Sequence, residues 1–221
     1  MKHIVLQLCI LCSLAIYGQE TKMYETEIYL SRVALFNSEV LEKNQIVFFG
    51  NSLTQGGKWN EYFPKEKIVN RGIIGDNTDG ALARLDKVIE AQPSKFFFLS
   101  GVNDISQGYN NDYICKNMKE IIHRIKKGSP QTVIYFQSLL PVNNSFERYK
   151  KLINKEKQIE KLNKQIEKLC KSEGIHYINL YTSFLAKKRL LNPIYTTDGL
   201  HLNEDGYIIW IDLIREFVEN N

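Results

Sequence analysis

The chain has 221 residues, of which 43% are hydrophobic and 24% are charged. This length and balance are typical of one globular domain and exclude a disordered or fibrous chain. The formal net charge is only +4, and the many lysines between residues 150 and 171 are interleaved with glutamates. That pattern indicates a solvent-exposed helix face rather than a basic stripe, so no nucleic-acid partner is expected.

The first residues differ in composition from the rest of the chain. Lys2 and His3 precede an apolar run that extends from Ile4 to Tyr17 and ends at Gly18. This arrangement predicts a secretory signal peptide at residues 1–18, followed by a single domain at residues 19–221. The protein is therefore expected to be secreted or periplasmic. The apolar run is short for a membrane span and no later segment is apolar enough to be one, so stable membrane insertion is not expected.

Two cysteines, Cys115 and Cys170, remain after the predicted signal peptide. They lie far apart in helical patterns, and a chain of this size needs no disulfide framework. We expect two half-buried thiols that pack as small apolar groups. A single disulfide is the alternative.

Five short apolar runs alternate with helical patterns along the chain. The runs occupy residues 46–49, 68–69, 96–99, 133–136 and 176–180. Helical patterns cover residues 24–41, 80–91, 113–127, 146–171 and 204–219. Strands that are apolar throughout are typical of a parallel sheet buried on both faces. The order predicts an α/β domain with three layers, in which helices cover both faces of a parallel sheet of about five strands.

Four loops at strand ends carry most of the polar chemistry. They contain Ser52 in residues 50–57, Gly75 in residues 70–78, Asn103 in residues 100–104, and Asp198 with His201 in residues 197–203. Ligands of open α/β sheets bind beyond the carboxyl ends of the strands, where such loops gather. Each loop alone has an ordinary structural explanation, such as a helix cap at Ser52 or a turn at Asn103. Their joint occurrence in this order favours an active site.

These blocks resemble a known family. Gly50-Asn51-Ser52-Leu53 is similar to the block that names the GDSL, or SGNH, hydrolases, and Gly75 corresponds to the oxyanion glycine of that family. Gly101-Val102-Asn103-Asp104 and Asp198-Gly199-Leu200-His201 are similar to its GxND and DxxH blocks. The resemblance runs from about residue 46 to residue 210 and implies a flavodoxin-like α/β/α sandwich.

The resemblance also implies roles for these residues. Ser52 would be the nucleophile, His201 the general base, and Asp198 the carboxylate that orients the imidazole. Backbone N–H groups of Ser52 and Gly75 and the side chain of Asn103 would form the oxyanion hole. No metal or organic cofactor is needed for this chemistry. Asp76, Asp198 and His201 are an alternative set of metal ligands, although they lack a recognised ligand spacing.

One residue departs from the family pattern. Asn51 stands where the family usually has Asp, a residue outside its catalytic set. Because Asn is nearly isosteric with Asp, we expect altered hydrogen bonding around Ser52 rather than loss of activity.

Two further segments bear on the substrate. Residues 70–78 and 137–143 resemble those of carbohydrate O-acetylesterases and of platelet-activating-factor acetylhydrolase-like proteins. We therefore expect a secreted esterase that removes acetyl groups from a small-molecule or glycan ester, such as sialic acid or plant and host glycans. The alternatives are a lysophospholipase or thioesterase with a longer acyl pocket and an inactive glycan-binding homologue. The sequence does not predict the oligomeric state.

Overall fold

A parallel β-sheet forms the centre of the protein. The computed structural model describes Lys22 and residues 24–220. The signal peptide predicted at residues 1–18 therefore lies outside the described residues. The strands of the sheet are β1 (Ile46–Gly50), β2 (Ile68–Gly72), β3 (Lys95–Leu99), β4 (Val133–Gln137) and β5 (His176–Ile178).

The strands lie in the order β2-β1-β3-β4-β5, and every neighbouring pair is parallel. This is the order of the flavodoxin-like fold, so the predicted fold class is confirmed. Strand order reverses beside β1, because β2 lies on one side of it and β3 on the other. All carboxyl ends meet at one edge, which brings the loop after β1 between the loops that follow β2 and β3.

Helices cover both faces of this sheet. They are α1 (Glu27–Ser38), α2 (Ser52–Gly56), α3 (Trp59–Tyr62), α4 (Thr78–Ala83), α5 (Asp86–Glu90), α6 (Val102–Ser106), α7 (Asn111–Gly128), α8 (Glu156–Glu173) and α9 (Glu204–Glu219). Short 3-10 helices occupy Asn144–Phe146, Lys150–Leu152, Tyr181–Phe184, Lys187–Arg189 and Pro193–Tyr195. Within the described part of the chain, no helix combines the length and the apolar character that crossing a bilayer requires.

The side chains of successive strand residues pack into two separate cores. Phe96 and Phe98 pack into the core shared with α7 and α8, whereas Phe97 and Leu99 pack into the core shared with α9. The separation follows from the two-residue period of a strand, whose side chains point alternately to opposite faces. Burying each such side chain contributes roughly 1.5–3 kcal/mol. The fully apolar strands are thus explained by helices on both faces.

The predicted helix at residues 146–171 is wrong in its first third. Helix α8 begins only at Glu156, and the preceding segment forms two single 3-10 turns. Glu147 and Asn154 have positive φ angles of 55° and 60°, which interrupt a right-handed helix. Leu152 is buried against one core, so the segment folds back over the sheet edge instead of continuing α8 outward.

Three other predicted boundaries also differ. The pattern at residues 80–91 is two helices, because the backbone leaves helical geometry at Arg84 (φ −114°, ψ 13°). Strand β5 ends at Ile178, and the backbone N–H groups of Leu180 and Tyr181 then donate to the hydroxyl of Ser138. The helix predicted at residues 24–41 is Glu27–Ser38.

Both described cysteines are free thiols. Cys115 is half-buried and Cys170 is buried, which is the arrangement expected for thiols that pack as apolar groups. Burial raises the pKa of Cys115 to about 11 and that of Cys170 to about 12. Neither is therefore ionised at neutral pH.

Candidate active site

A cavity of about 460 Å³ opens at the carboxyl edge of the sheet. The loops after three adjacent strands each contribute to its wall: Ser52 after β1, Gly75 after β2 and Asn103 after β3. His201 reaches the same cavity from the loop before α9. The structure thus brings together four residues that the sequence places up to 149 positions apart.

The imidazole of His201 connects a hydroxyl to a carboxylate. Its Nε2 lies 2.9 Å from Oγ of Ser52, and its Nδ1 lies 2.8 Å from Oδ2 of Asp198. With the Nδ1 proton donated to the carboxylate, Nε2 is free to accept the serine proton. This is the hydrogen-bonded order of a nucleophile, a base and an orienting acid.

Asp198 is held as a carboxylate. Burial by itself raises the pKa of Asp198, but hydrogen bonds from His201, Leu200 and Tyr149 outweigh it and hold the pKa well below its usual range. The backbone N–H groups of Leu200 and His201 donate to Oδ1 over 2.9 and 2.7 Å. Both carboxylate oxygens of Asp198 therefore accept hydrogen bonds, and Oδ2 is the one that faces the imidazole.

Ser52 is the first residue of α2, and its neighbour caps the helix. Oδ1 of Asn51 accepts the backbone N–H of Leu53 over 3.0 Å, whereas the Ser52 hydroxyl faces His201. The alternative that Ser52 serves only as the helix cap is therefore wrong. Asn51 is fully buried, and its Nδ2 lacks a hydrogen-bond partner among the described residues. The local change expected for Asn in place of Asp is this unpaired donor.

The opposite wall of the cavity presents polar hydrogens. Gly75 has a φ of +79°, a conformation that favours glycine. The preceding residue, Ile74, is fixed by its backbone N–H, which donates to Oε1 of Gln55 over 2.9 Å. Nδ2 of Asn103 donates one hydrogen to the backbone oxygen of Asp76 over 2.7 Å. An amide nitrogen carries two hydrogens, so the second remains available to the cavity.

A buried ion pair supports the loop that carries Gly75. The carboxylate of Asp76 accepts two hydrogen bonds from Arg84, at 2.9 Å from Nε and 2.6 Å from Nη2. The same guanidinium donates to the backbone oxygens of Arg71 and Gly50, at the ends of β2 and β1. Asp76 is therefore a structural residue and is not assembled with Asp198 and His201 as a metal ligand. Among the described residues, no cluster of three or more His, Cys, Asp or Glu is placed to hold a metal ion.

The loop with Asp198 is attached to the loop after β4. The backbone N–H of Asn143 donates to the oxygen of Gly199 over 2.7 Å, and a Cβ at Gly199 would lie 2.3 Å from the oxygen of Asn143. Gly199 also has a φ of +86°. Only glycine allows this close approach and this backbone conformation together.

Tyr149 is a site residue that the sequence analysis missed. Its hydroxyl lies 2.7 Å from Oδ2 of Asp198 and 3.0 Å from Nδ1 of His201. The sequence pattern placed Tyr149 inside a helix, so no loop signal marked it. Tyr149 lies two residues after the left-handed turn at Glu147, a break that the lysine-rich pattern did not indicate.

Curated relatives resemble the chain over most of its length. It is 26% identical over 201 residues to the GDSL esterase/lipase WDL1 of Oryza sativa subsp. japonica, covering 78% of this chain and 76% of that protein. It is also 26% identical over 212 residues to an N-acylneuraminate cytidylyltransferase of Streptococcus agalactiae serotype V, covering 91% of this chain. The chain spans only 45% of the length of that second relative.

A solved structure shows the same architecture. A GDSL-like lipase from Bacteroides thetaiotaomicron superposes with a TM-score of 0.74 at 27% identity, covering 90% of this chain and 98% of that one. The model of the GDSL-like lipase/acylhydrolase family matches residues 48–209, which include all four loops of the cavity. The chain therefore belongs to the GDSL-like lipase/acylhydrolase family and is a carboxylic ester hydrolase.

Proposed function

We propose that the protein hydrolyses acetyl esters of carbohydrates through a covalent acyl-enzyme on Ser52. The observation that carries this proposal is the continuous hydrogen-bonded connection from Ser52 through His201 to Asp198 at the wall of the cavity. A serine hydroxyl is a weak nucleophile unless a neighbouring base removes its proton. Here the base already lies within hydrogen-bond distance of that hydroxyl.

The first half of the reaction forms the acyl-enzyme. Oγ of Ser52 attacks the ester carbonyl as Nε2 of His201 takes the hydroxyl proton, and Asp198 stabilises the resulting imidazolium. The carbonyl oxygen becomes an oxyanion. When the tetrahedral intermediate collapses, the bond to the alcohol breaks and His201 returns the proton to the departing alcohol oxygen.

In this proposal, three donors bind the oxyanion. The backbone N–H of Ser52 lies in the first turn of α2, where helical N–H groups have no partner within the helix. The N–H of Gly75 and the second Nδ2 hydrogen of Asn103 approach from the facing loops. Removing one donor of this kind typically lowers turnover by about a hundred- to a thousand-fold, which corresponds to about 2.7–4 kcal/mol of transition-state stabilisation.

The second half of the reaction releases the acid. Water replaces the alcohol, His201 takes a proton from it as it attacks the acyl carbon, and the bond to Ser52 breaks as that proton passes to Oγ. The products are a carboxylic acid and the free serine. Every proton is returned, so the cycle needs no other reactant.

Several observations support a sugar acetate as the substrate. A cavity of about 460 Å³ holds both halves of a small ester, which leaves little room for a long acyl chain beside a sugar. The relative from Streptococcus agalactiae is named for N-acylneuraminate, a sialic acid. The predicted signal peptide at residues 1–18 is the basis for placing the activity outside the cytoplasm, where acetylated glycans occur.

A lysophospholipase or thioesterase is the second candidate, and the apolar surface near the cavity mouth favours it. Ile74 lines the cavity and is 47% exposed, and Phe146, which packs beside Gly199, is 37% exposed. Such side chains could contact an acyl chain that extends beyond the cavity.

A series of esters with acyl chains of increasing length tests the proposal, with Ser52→Ala as the control. We expect the highest kcat/KM for acetyl esters, acetate release from O-acetylated sugars, and turnover in Ser52→Ala reduced by at least about 10⁴-fold. A maximum at long acyl chains would establish the second candidate. Full turnover by a folded Ser52→Ala variant would remove Ser52 as the nucleophile.

A further inference from the structure

Three basic side chains line the cavity beside the nucleophile. Arg148, Lys150 and Lys151 line the same cavity as His201, and none of the residues lining the cavity is acidic. The lining residues all belong to the described part of the chain. The charge on the lining of this cavity is thus of one sign and comes from one short segment.

These three cations are not neutralised by ion pairs. None of them has a carboxylate of the described residues within 4.0 Å, although other basic side chains do: Arg189 pairs with Glu160 over 2.8 Å. Glu147 is adjacent in the chain but does not line the cavity. Unpaired cations in a concave surface concentrate the field and attract anions.

The segment that carries the cations is anchored beside the catalytic groups. The hydroxyl of Tyr149 binds Asp198 over 2.7 Å, and the side chain of Leu152 is buried in a core. The guanidinium of Arg148 lies 5.9 Å from the centre of the Tyr149 ring, within reach of a cation–π interaction. The backbone between these anchors therefore places Lys150 and Lys151 at the cavity, and Arg148 directly precedes the first anchor.

We infer that the natural substrate carries an anionic oxygen group, a carboxylate or a phosphate, on the alcohol part of the ester. The inference rests on the proposed function and narrows it from acetyl esters in general to acidic ones. Guanidinium groups bind carboxylate and phosphate oxygens in a bidentate geometry, and ammonium groups add point charges. The cation-lined wall would hold the acidic group while Ser52 attacks the acyl carbon.

Matched pairs of esters test the inference, because the members of each pair differ at one acidic group. One pair is O-acetylated N-acetylneuraminic acid and its methyl ester, and the other is acetylglycerol phosphate and acetylglycerol, with acetate release as the readout. We expect kcat/KM to be at least about tenfold higher for the anionic member of one pair. The preferred pair identifies whether the carboxylate or the phosphate is recognised. Added salt should reduce the preference, since exposed charges are screened over about 10 Å at 0.1 M ionic strength.

In the variant Arg148→Gln/Lys150→Gln/Lys151→Gln, the ratio of kcat/KM between the anionic and the uncharged ester should fall close to one. The matched control Lys161→Gln/Lys164→Gln/Lys168→Gln removes three exposed charges of α8 that lie outside the cavity lining, and it should keep the preference of the natural protein. Equal rates for both members of both pairs would overturn the inference while leaving the acetylesterase proposal intact. Equal loss of preference in the two triple variants would also overturn it. Absence of acetate release from all four esters would instead contradict the proposed function.

Discussion

The hydroxyl of Tyr149 donates to the carboxylate oxygen of Asp198 that also faces His201, over 2.7 Å. Burial and the hydrogen bond to Asp198 raise the pKa of Tyr149 to about 12, so the phenol remains a donor at neutral pH. Two donors thus converge on one oxygen, and the carboxylate cannot rotate without losing both. This contact makes Tyr149 a positioning residue for the carboxylate.

Tyr149→Phe should therefore lower kcat for a neutral acetyl ester by roughly tenfold, with a KM change below about twofold. The estimate follows from the contribution of about 1.5–3 kcal/mol that a hydrogen bond to a charged group makes. Steady-state kinetics measure it. The matched control is Tyr113→Phe, which removes a similar 2.8 Å hydrogen bond to Asp79 away from the cavity. Equal values of kcat in the two variants would contradict the positioning role.

Gly75→Ala should reduce both stability and activity. Its φ of +79° strains any L side chain, yet a Cβ there would meet no atom within 4 Å, so the effect is confined to the backbone. We expect a loss of about 1–2 kcal/mol in the free energy of unfolding and a fall of at least about tenfold in kcat, because the N–H facing the oxyanion is displaced.

Gly174→Ala is the control for this prediction. Gly174 ends α8 with a φ of +62°, and a Cβ there also meets nothing within 4 Å. The variant should lose similar stability in urea denaturation and keep its kcat. If Gly75→Ala were no less active than Gly174→Ala, the N–H of Gly75 would have no part in the oxyanion hole.

Asn51→Ala removes the cap of α2 and should cost about 1 kcal/mol of stability. Because α2 begins at Ser52, we expect this variant also to lose activity. Asn110→Ala removes the equivalent cap of α7, where Oδ1 accepts the N–H of Tyr113 over 2.9 Å. It should lose stability alone. Thermal denaturation and esterase assays of the two variants separate the effects, and an Asn51→Ala enzyme of full activity would show that the cap does not orient Ser52.

Asp104 makes the stability depend on pH. Burial raises its pKa from 3.8 to about 6, although hydrogen bonds from Thr78 lower it. The folded state therefore binds the proton more tightly than the unfolded state. The free energy of unfolding contributed by Asp104 is largest below pH 3.8 and decreases as the pH rises to about 6, by roughly 3 kcal/mol at most.

Urea denaturation between pH 4 and pH 7 measures this effect, with Asp104→Asn as the variant that cannot titrate. As the pH rises, the free energy of unfolding of the natural protein should decrease relative to that of the variant. A difference that is constant across this range would show that Asp104 ionises at the same pH in both states.

Local physical chemistry made much of the fold predictable from the sequence. A strand buried on both faces must be apolar at every position, so residues 46–49 and 96–99 were recognisable as strands of a parallel sheet. The polar loops after these strands were recognisable because ligands gather at that edge. Asn51, by contrast, could not be separated from Ser52 as the helix cap, since both residue types cap helices well.

Residue type and local spacing were enough to predict the strands and their parallel arrangement, and the family resemblance added the roles of the candidate catalytic groups. The contacts of His201 with Ser52 and with Tyr149 follow from the folded arrangement of loops that are far apart in the chain. For the contact with Ser52, the strand order matters, because β1 lies where that order reverses and so brings the loop with Ser52 between the loops after β2 and β3. The contact with Tyr149 depends on left-handed turns at Glu147 and Asn154, which the burial of Leu152 and the contact with Asp198 stabilise and which no local pattern marks.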